Sequence, residues 1–272
     1  MGNFIRAAIT SLIASGATRA AIARVGLPSW DRTSFSGRTV SLTEGAVATA
    51  GMMAGSVSLS GSPRLGALTA VGTAAAAGYI DDQMEERFPA KAKGLRGHLG
   101  ALREGRLTSG ALKIGVIGAG AALSTLTLER TGGPTRRFAS WTCQSMLVAG
   151  TANLINLLDL RPGRALKACA AVAAPLALSA NPVAAPIAGS VLATGAVCAP
   201  SDLSGKAMLG DLGANALGAG LGFSLAASRS SLVRFGALGA VVGLTLASER
   251  ISFSKVIEEN PVLSRIDQLG RS

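Results

Sequence analysis

The chain has 272 residues, 49% of them hydrophobic and only 15% charged, with a mean hydropathy of +0.42; ordinary soluble domains carry about 25% charged residues. A net charge of +11 is an excess of the kind that marks nucleic-acid binders, but seven Phe, two Trp and one Tyr leave no platform on which bases could stack. Cys143, Cys169 and Cys198 are odd in number and show no metal-ligand spacing, so they read as small packing residues rather than disulfide or metal partners.

The apolar residues fall into blocks of roughly 16–23, close to the ~20 that a helix needs to cross a hydrocarbon layer. Nine such runs predict an all-α, multi-pass transmembrane bundle, with spans at 3–25, 43–60, 64–80, 111–128, 137–157, 164–180, 183–200, 212–227 and 232–248. The first run contains Arg6 and Arg19 and lacks a small-residue cleavage site, so it reads as a retained span rather than a signal peptide. Pro28, Pro63, Pro134, Pro162 and Pro182 fall at or near the breaks, where a missing N–H does least harm. Residues 1–272 therefore read as a single integral membrane domain with a polar loop at about 81–110 and a polar tail at about 249–272.

Within the runs, Gly, Ala, Ser and Thr outweigh Leu and Phe. Gly218, Gly220 and Gly222, and Gly239 with Gly243, are small-residue patterns that let helix backbones approach closely in lipid. Gly115-Val-Ile-Gly-Ala-Gly120 imitates a dinucleotide fingerprint, but Leu123 stands where the third glycine belongs and the segment lies inside an apolar run; it reads as a packing face. After Leu246 the chain alternates charge with Ile251, Val256, Ile257, Val262 and Leu263, which suits either a short amphipathic segment on the membrane surface or a solvated tail.

Orientation follows from the cations. With the loop after Asp81-Asp82 placed in the cytoplasm, 19 Lys and Arg lie inside and 7 outside. The positive-inside bias then puts the N-terminus outside and the C-terminus in the cytoplasm.

Acids near membrane depth are costly and are functional suspects by default. Three acidic sites collect at cytoplasmic helix ends. Asp81-Asp82 close the third run and face a loop carrying Lys91, Lys93, Arg96 and His98; Asn153-x-x-Asn156-x-x-Asp159 closes the fifth; Gly210-Asp211 opens the eighth. The i, i+3, i+6 spacing puts Asn153, Asn156 and Asp159 on one side of a helix, as a polar lining for a ligand or as interhelical hydrogen bonding. For Asp211 the structural alternative is an N-cap of the following helix, a role compatible with metal binding. His98, the single histidine, is as a loop residue more often exposed than catalytic. Arg161-Pro-Gly-Arg164 reads equally as a phosphate-facing turn and as an orientation signal.

Gly78-Tyr-Ile-Asp81-Asp82, Asn153-x-x-Asn156-x-x-Asp159 and Gly210-Asp211-x-Gly213-Ala-Asn215-x-Leu-Gly218, in that order, resemble the polyprenyl-phosphate N-acetylhexosamine-1-phosphate transferase family, which includes phospho-MurNAc-pentapeptide translocase and its GlcNAc-1-phosphate relatives. Ser34-Phe-Ser-Gly-Arg-Thr-Val40 is similar to the stretch after that family's first span, and Lys93-Gly-Leu-Arg96-Gly-His98 to its basic loop. The resemblance covers about 30–220. It implies a plasma-membrane enzyme that transfers a sugar 1-phosphate from a nucleotide-activated amino sugar, with uridine as the expected base, to polyprenyl phosphate. UMP would be released, in the first step of a cell-envelope glycan or peptidoglycan-related pathway.

The implied site residues are Asp81 and Asp82 in catalysis and Asp211 with Asp82 on Mg²⁺, Mn²⁺ being an admissible substitute. Asn153, Asn156, Asp159, Lys91, Lys93, Arg96 and His98 would contact the substrate. The chemistry agrees, because Mg²⁺ prefers one or two carboxylates plus substrate phosphates and catalysis at a pyrophosphate is mainly positioning and charge neutralisation. The implied partners are the nucleotide-sugar donor, the lipid phosphate acceptor and membrane lipid, with no nucleic acid; a homodimer is admissible.

The chain departs from the family where Glu85 replaces a frequent Lys, where Leu160-Arg161-Pro162 follows Asp159, and where Met208-Leu209 stand in place of an aromatic before Gly210-Asp211. It also lacks the His-rich segment of the pentapeptide-type enzymes. The alternative is a catalytically silent family member, acting in envelope assembly or transport, or as a scaffold.

Overall fold

The computed structural model describes residues 2–33, 37, 39–88 and 94–271, without the side chains of residues 85, 94–96, 98 and 99. Among the described residues the regular structure is helical apart from one small two-stranded sheet. In order the helices are α1 (Gly2–Val25), α2 (Glu44–Val57), α3 (Ser62–Met84), α4 (Gly94–Arg103), α5 (Ser109–Thr125), α6 (Pro134–Leu158), α7 (Arg164–Ala177), α8 (Ala184–Leu203), α9 (Gly210–Ala227), α10 (Ser231–Ser248), α11 (Phe253–Glu259) and α12 (Pro261–Gln268). Nine of these overlie the nine apolar runs. The exceptions, α4, α11 and α12, lie in the stretches read from sequence as polar loop and tail.

Among the described residues, two helices are by length and composition apolar enough to cross a membrane: α8, 56% of it buried within the fold over its most apolar stretch, and α10, only 6% buried. The others fall short for visible reasons. Helices α2 and α7 have 14 residues each, and α5 has 17. Helix α3 is diluted by Gly, Ala and Thr and ends on two aspartates.

Helix α9 is the axis of the molecule. Every residue from Leu212 to Ala226 is buried, and the core residues of α2, α3, α6 and α8 surround it. This enclosure is possible because α9 is almost free of bulk. A Cβ on Gly218 would stand 2.7 Å from the Ala152 Cα, and one on Gly222 would stand 2.7 Å from the Leu147 carbonyl oxygen and the Val148 Cα, so α6 and α9 touch backbone to backbone. On the opposite flank Gly78 of α3 meets the Asp211 carbonyl with no space for a side chain. The small-residue reading of Gly218 and Gly222 thus describes a real interface. The same reading of Gly239 and Gly243 does not, since a Cβ at either would meet nothing; α10 turns that face away from the bundle.

Two peripheral pieces fold onto the end where α3 stops and α9 starts. Strands β1 (Asp31–Thr33) and β2 (Thr39–Ser41) pair antiparallel, Arg32 opposite Val40. Ser41 then bonds to the segment before α9, accepting from the Met208 N–H at 2.9 Å and donating its own N–H to the Lys206 carbonyl at 3.2 Å. The tail returns to the same end. The Arg164 Nε donates to Asp267 Oδ1 at 2.9 Å and its NH2 to Oδ2 at 3.1 Å, while the Lys167 ammonium donates to the Asp267 carbonyl at 2.6 Å. Arg161 pairs with Glu258 at 2.8 Å. The Arg161–Arg164 turn therefore ties down the tail through Glu258 and Asp267, while most other tail side chains are exposed.

Adding a methyl where backbones touch forces the helices apart, a cost of about 1–3 kcal/mol for overpacking. Gly222→Ala is expected to lower the melting temperature of the purified protein. Gly239→Ala should leave it unchanged or raise it slightly through helix propensity. Equal tolerance at both positions, measured by thermal unfolding in detergent, would contradict this packing.

Candidate active site

A carboxylate at the C-terminal end of a helix opposes the helix dipole, so Asp81 and Asp82 on the last turn of α3 need compensation from elsewhere. Asp82 receives it from α9. Its Oδ1 accepts the Asp211 N–H at 3.1 Å and its Oδ2 accepts the Leu212 N–H at 2.8 Å. Helix α9 has no cap of its own, because Leu209 makes no side-chain capping bond and Gly210 holds a left-handed φ of 60°. The preceding N–H, that of Gly210, is near the carboxylate of Asp159, the residue that closes α6. Asp82 thus takes two of the α9 amides that a helix start leaves unpaired.

Asp211, freed from capping, turns its carboxylate to Lys113 on the first turns of α5. The Lys113 ammonium donates to Asp81 Oδ2 at 2.7 Å and also to Asp211 Oδ2. The Asp81 and Asp211 carboxyls also lie against one another. Both lie outside the apolar runs 64–80 and 212–227. Burial, followed by the Asp81 contact, pushes Asp211 up to about 7. Burial also acts to raise Asp81, but the hydrogen bond from Asp211 and the charge of Lys113 outweigh it and hold Asp81 at about 2.

Around this core lie further acids. Asp159 is buried, and its Oδ2 has no partner among the described residues. Burial first, then the neighbouring charge of Asp202, raises its pKa well above the usual carboxylate range. Asp202, on the last turn of α8, accepts the Gly163 N–H through Oδ1 and leaves Oδ2 unpartnered; burial pushes it up to about 6. On the far side Glu44 is clamped by Arg19 at 2.8 and 2.6 Å and by the Ser201 hydroxyl at 2.7 Å.

The structure thus brings Asp81, Asp82, Asp159 and Asp211 to one end of the bundle but separates their roles. Asp82 caps α9, with Asp159 beside the same helix start. Asp81 and Asp211, largely buried, pair with Lys113. Asp211 is not the N-cap of its own helix, because Asp82 fills that place. Asn153 and Asn156 are half-buried on α6; the Asn156 carbonyl accepts the Asp159 N–H at 3.1 Å, but no side-chain hydrogen bond joins either amide to the aspartates among the described residues. Lys91 and Lys93 lie outside the described residues; Arg96 and His98 lie on α4, with side chains outside the description. Sequence reasoning missed Lys113 as a site residue because it counted only as an orienting cation, and missed Asp202 and Glu44 because single acids at the ends of apolar runs carry no spacing signal.

Asp81 and Asp211 supply hard carboxylate oxygens, with the Lys113 ammonium at the point between them. That donor set suits Mg²⁺, which takes one or two carboxylates and completes its shell with water and phosphate oxygens; among the described residues no three acids, Cys or His are placed to hold a metal by themselves. With both Asp82 oxygens engaged on α9, the pair best placed for the cation is Asp81 with Asp211. The fold and site define an all-helical protein with a lysine-bridged aspartate cluster at one end of its central helix. The chain matches no protein-family model and no curated protein sequence.

Lys113 neutralises two largely buried carboxylates, and removing one partner of such a set costs about 3–5 kcal/mol. Lys113→Met is therefore expected to lower stability markedly near neutral pH. A second substitution, Asp81→Asn, in the Lys113→Met background should recover part of the loss. Parent-like unfolding of Lys113→Met in denaturant would contradict the pairing.

Proposed function

We propose that the chain is a multi-pass membrane enzyme of about nine spans that transfers a sugar 1-phosphate from a UDP-activated amino sugar to polyprenyl phosphate at the cytoplasmic membrane face. The observation that carries this reading is the gathering of Asp81, Asp159 and Asp211, remote in sequence, around one helix start beside Lys113. The nine apolar runs, the 19-to-7 cation asymmetry and the outward-facing apolar side chains Leu232, Phe235, Leu244 and Leu246 of α10 support the membrane setting. The resemblance of the three motifs to the transferase family supplies the substrate class.

In this reading an oxygen of the lipid phosphate attacks the sugar-bearing phosphorus of the donor. A new P–O bond forms, and the bond to the bridging oxygen breaks. That oxygen leaves with the electron pair as part of UMP, and the product is a polyprenyl-pyrophosphoryl sugar. Mg²⁺ held by Asp81 and Asp211 would neutralise charge on the pyrophosphate. Lys113 then moves from its carboxylate partners toward phosphate oxygens, to which an ammonium donates strongly. Asp82 and Asp159 keep the α9 start fixed while this happens, so the carboxylate of Asp211 does not swing away. Asn153 and Asn156 offer unpaired amides to polar groups of the donor, and the cations Lys91, Lys93, Arg96 and His98 would meet the leaving phosphates.

A second reading, a catalytically silent scaffold, is favoured by one feature. The capping bonds and Lys113 satisfy most of the aspartate oxygens without any ligand. A single assay separates the two. Purified protein with Mg²⁺, undecaprenyl phosphate and a panel of UDP-sugars should release UMP. Asp81→Asn and Asp211→Asn should reduce release at least a hundredfold while purifying normally, and EDTA should stop turnover until Mg²⁺ or Mn²⁺ is added back. Release from no donor, or release unchanged in both variants, would leave the scaffold reading.

The acid–base state adds a second check. Asp211 must lose its proton to hold a cation, and it does so at about 7. Turnover should therefore fall as pH drops below 7, by about tenfold per unit in the limit, and level off above it. A rate flat between pH 5.5 and 7.5 would contradict this role for Asp211.

A further inference from the structure

The end of the bundle opposite the aspartates contains a cavity of about 540 Å³ with a different chemistry. Helix α9 joins the two regions: Asp211 stands at one end and Ala227 lines the cavity at the other, about 24 Å away along the helix. Four arginines line it, Arg130, Arg136, Arg229 and Arg234, against a single acid, the exposed Glu129. Arg137 stands close enough for its charge, after burial, to hold Arg130 below its ordinary pKa. Seven cations were assigned to the outer side of the bundle from sequence; five of them are these arginines. Cations are disfavoured on that side by the positive-inside bias, yet here they are concentrated at one place, where they repel one another.

The arginines divide by what they already bind. Arg130 is engaged with the carbonyls of Thr125 at 2.6 Å and Leu126 at 3.2 Å, and Arg234 with the Ser228 carbonyl. Arg136 and Arg229 have no hydrogen-bond or ion-pair partner among the described residues. Arg136 sits in the first turn of α6, which starts on Pro134 without a side-chain cap. Phe235, Val183 and Leu128 add apolar wall beside the guanidinium groups.

We propose that this cavity binds a phosphate-bearing group, either the headgroup of an anionic membrane lipid or a free phosphate or pyrophosphate, with Arg136 and Arg229 as its principal ligands. Guanidinium forks match phosphate oxygens bidentately. The site is remote from the aspartate cluster and does not depend on the transferase reading.

The test uses the full-length protein purified in a zwitterionic detergent. One arm titrates phosphatidylglycerol, with phosphatidylcholine as its neutral counterpart, and the other titrates inorganic pyrophosphate; thermal stabilisation is the readout. A saturable rise with phosphatidylglycerol alone identifies a lipid headgroup, and a rise with pyrophosphate identifies a free phosphate site. In either case the doubly substituted Arg136→Gln/Arg229→Gln protein should need at least tenfold more probe. Arg136→Lys/Arg229→Lys should keep part of the affinity, and Arg265→Gln, an exposed cation on α12, should keep all of it. Stabilisation by neither probe, or an equal loss in Arg265→Gln, would overturn the proposal. So would unchanged affinity in the double Gln variant.

Discussion

Backbone contact around α9 is the constraint on which the rest of the structure depends. Small residues let backbones pack closely, and hydrogen bonds between the helices add to that packing. The α9 residues Gly218 and Gly222 give α6 that closeness, and Gly78 gives it from the α3 side. Once Gly78 lies on the Asp211 carbonyl, Asp82, one turn further along α3, falls beneath the first amides of α9. Gly210, with its left-handed φ of 60°, bends the incoming chain so that those amides point outward. The glycines therefore place the acids as well as the helices.

This placement explains why two neighbouring aspartates can have different fates. Asp82 meets the positive end of α9 and is held by two amides. Asp81, about 100° further back around α3, misses that helix start and meets Lys113 and Asp211 instead. Capping stiffens one side of the pocket while the lysine-bridged pair on the other side retains exchangeable partners. The hairpin and the tail close the same end from outside: Arg32 donates to the Asp82 carbonyl at 2.9 Å, and Trp30 packs on Tyr79 with ring centroids 6.1 Å apart. The tail is tied by Asp267 to Arg164. One end of the bundle is thus heavily cross-linked by polar contacts, and the other is an open, arginine-lined cavity.

Much of this was legible in the sequence, for physical reasons. Apolar runs broken by Pro63, Pro134 and Pro182 mark helices because proline is best tolerated at helix starts and breaks, although Pro175 and Pro200 lie inside α7 and α8. Asp81-Asp82, Asp159 and Gly210-Asp211 stand out because a charge at the edge of an apolar run is costly. The pairings between them were not legible. That Asp82 caps a helix 129 residues later, that Lys113 bridges two acids, and that Arg164 binds Asp267 are consequences of packing. None has a local period or motif. The hairpin at Asp31–Ser41 and helix α4 were hidden for a simpler reason: short, polar segments show neither the alternation of a buried strand nor the stripe of a buried helix.

Binding of Mn²⁺ to the purified protein, followed by electron paramagnetic resonance, tests the central claim most directly, because it reads the Asp81–Asp211 pair without requiring the substrates to be known. The account predicts one tightly bound Mn²⁺ per chain at pH 8, displaced by Mg²⁺ and lost when Asp81 and Asp211 are both replaced by Asn. An absence of bound Mn²⁺ in the parent protein, or the same binding in the doubly substituted one, would contradict it.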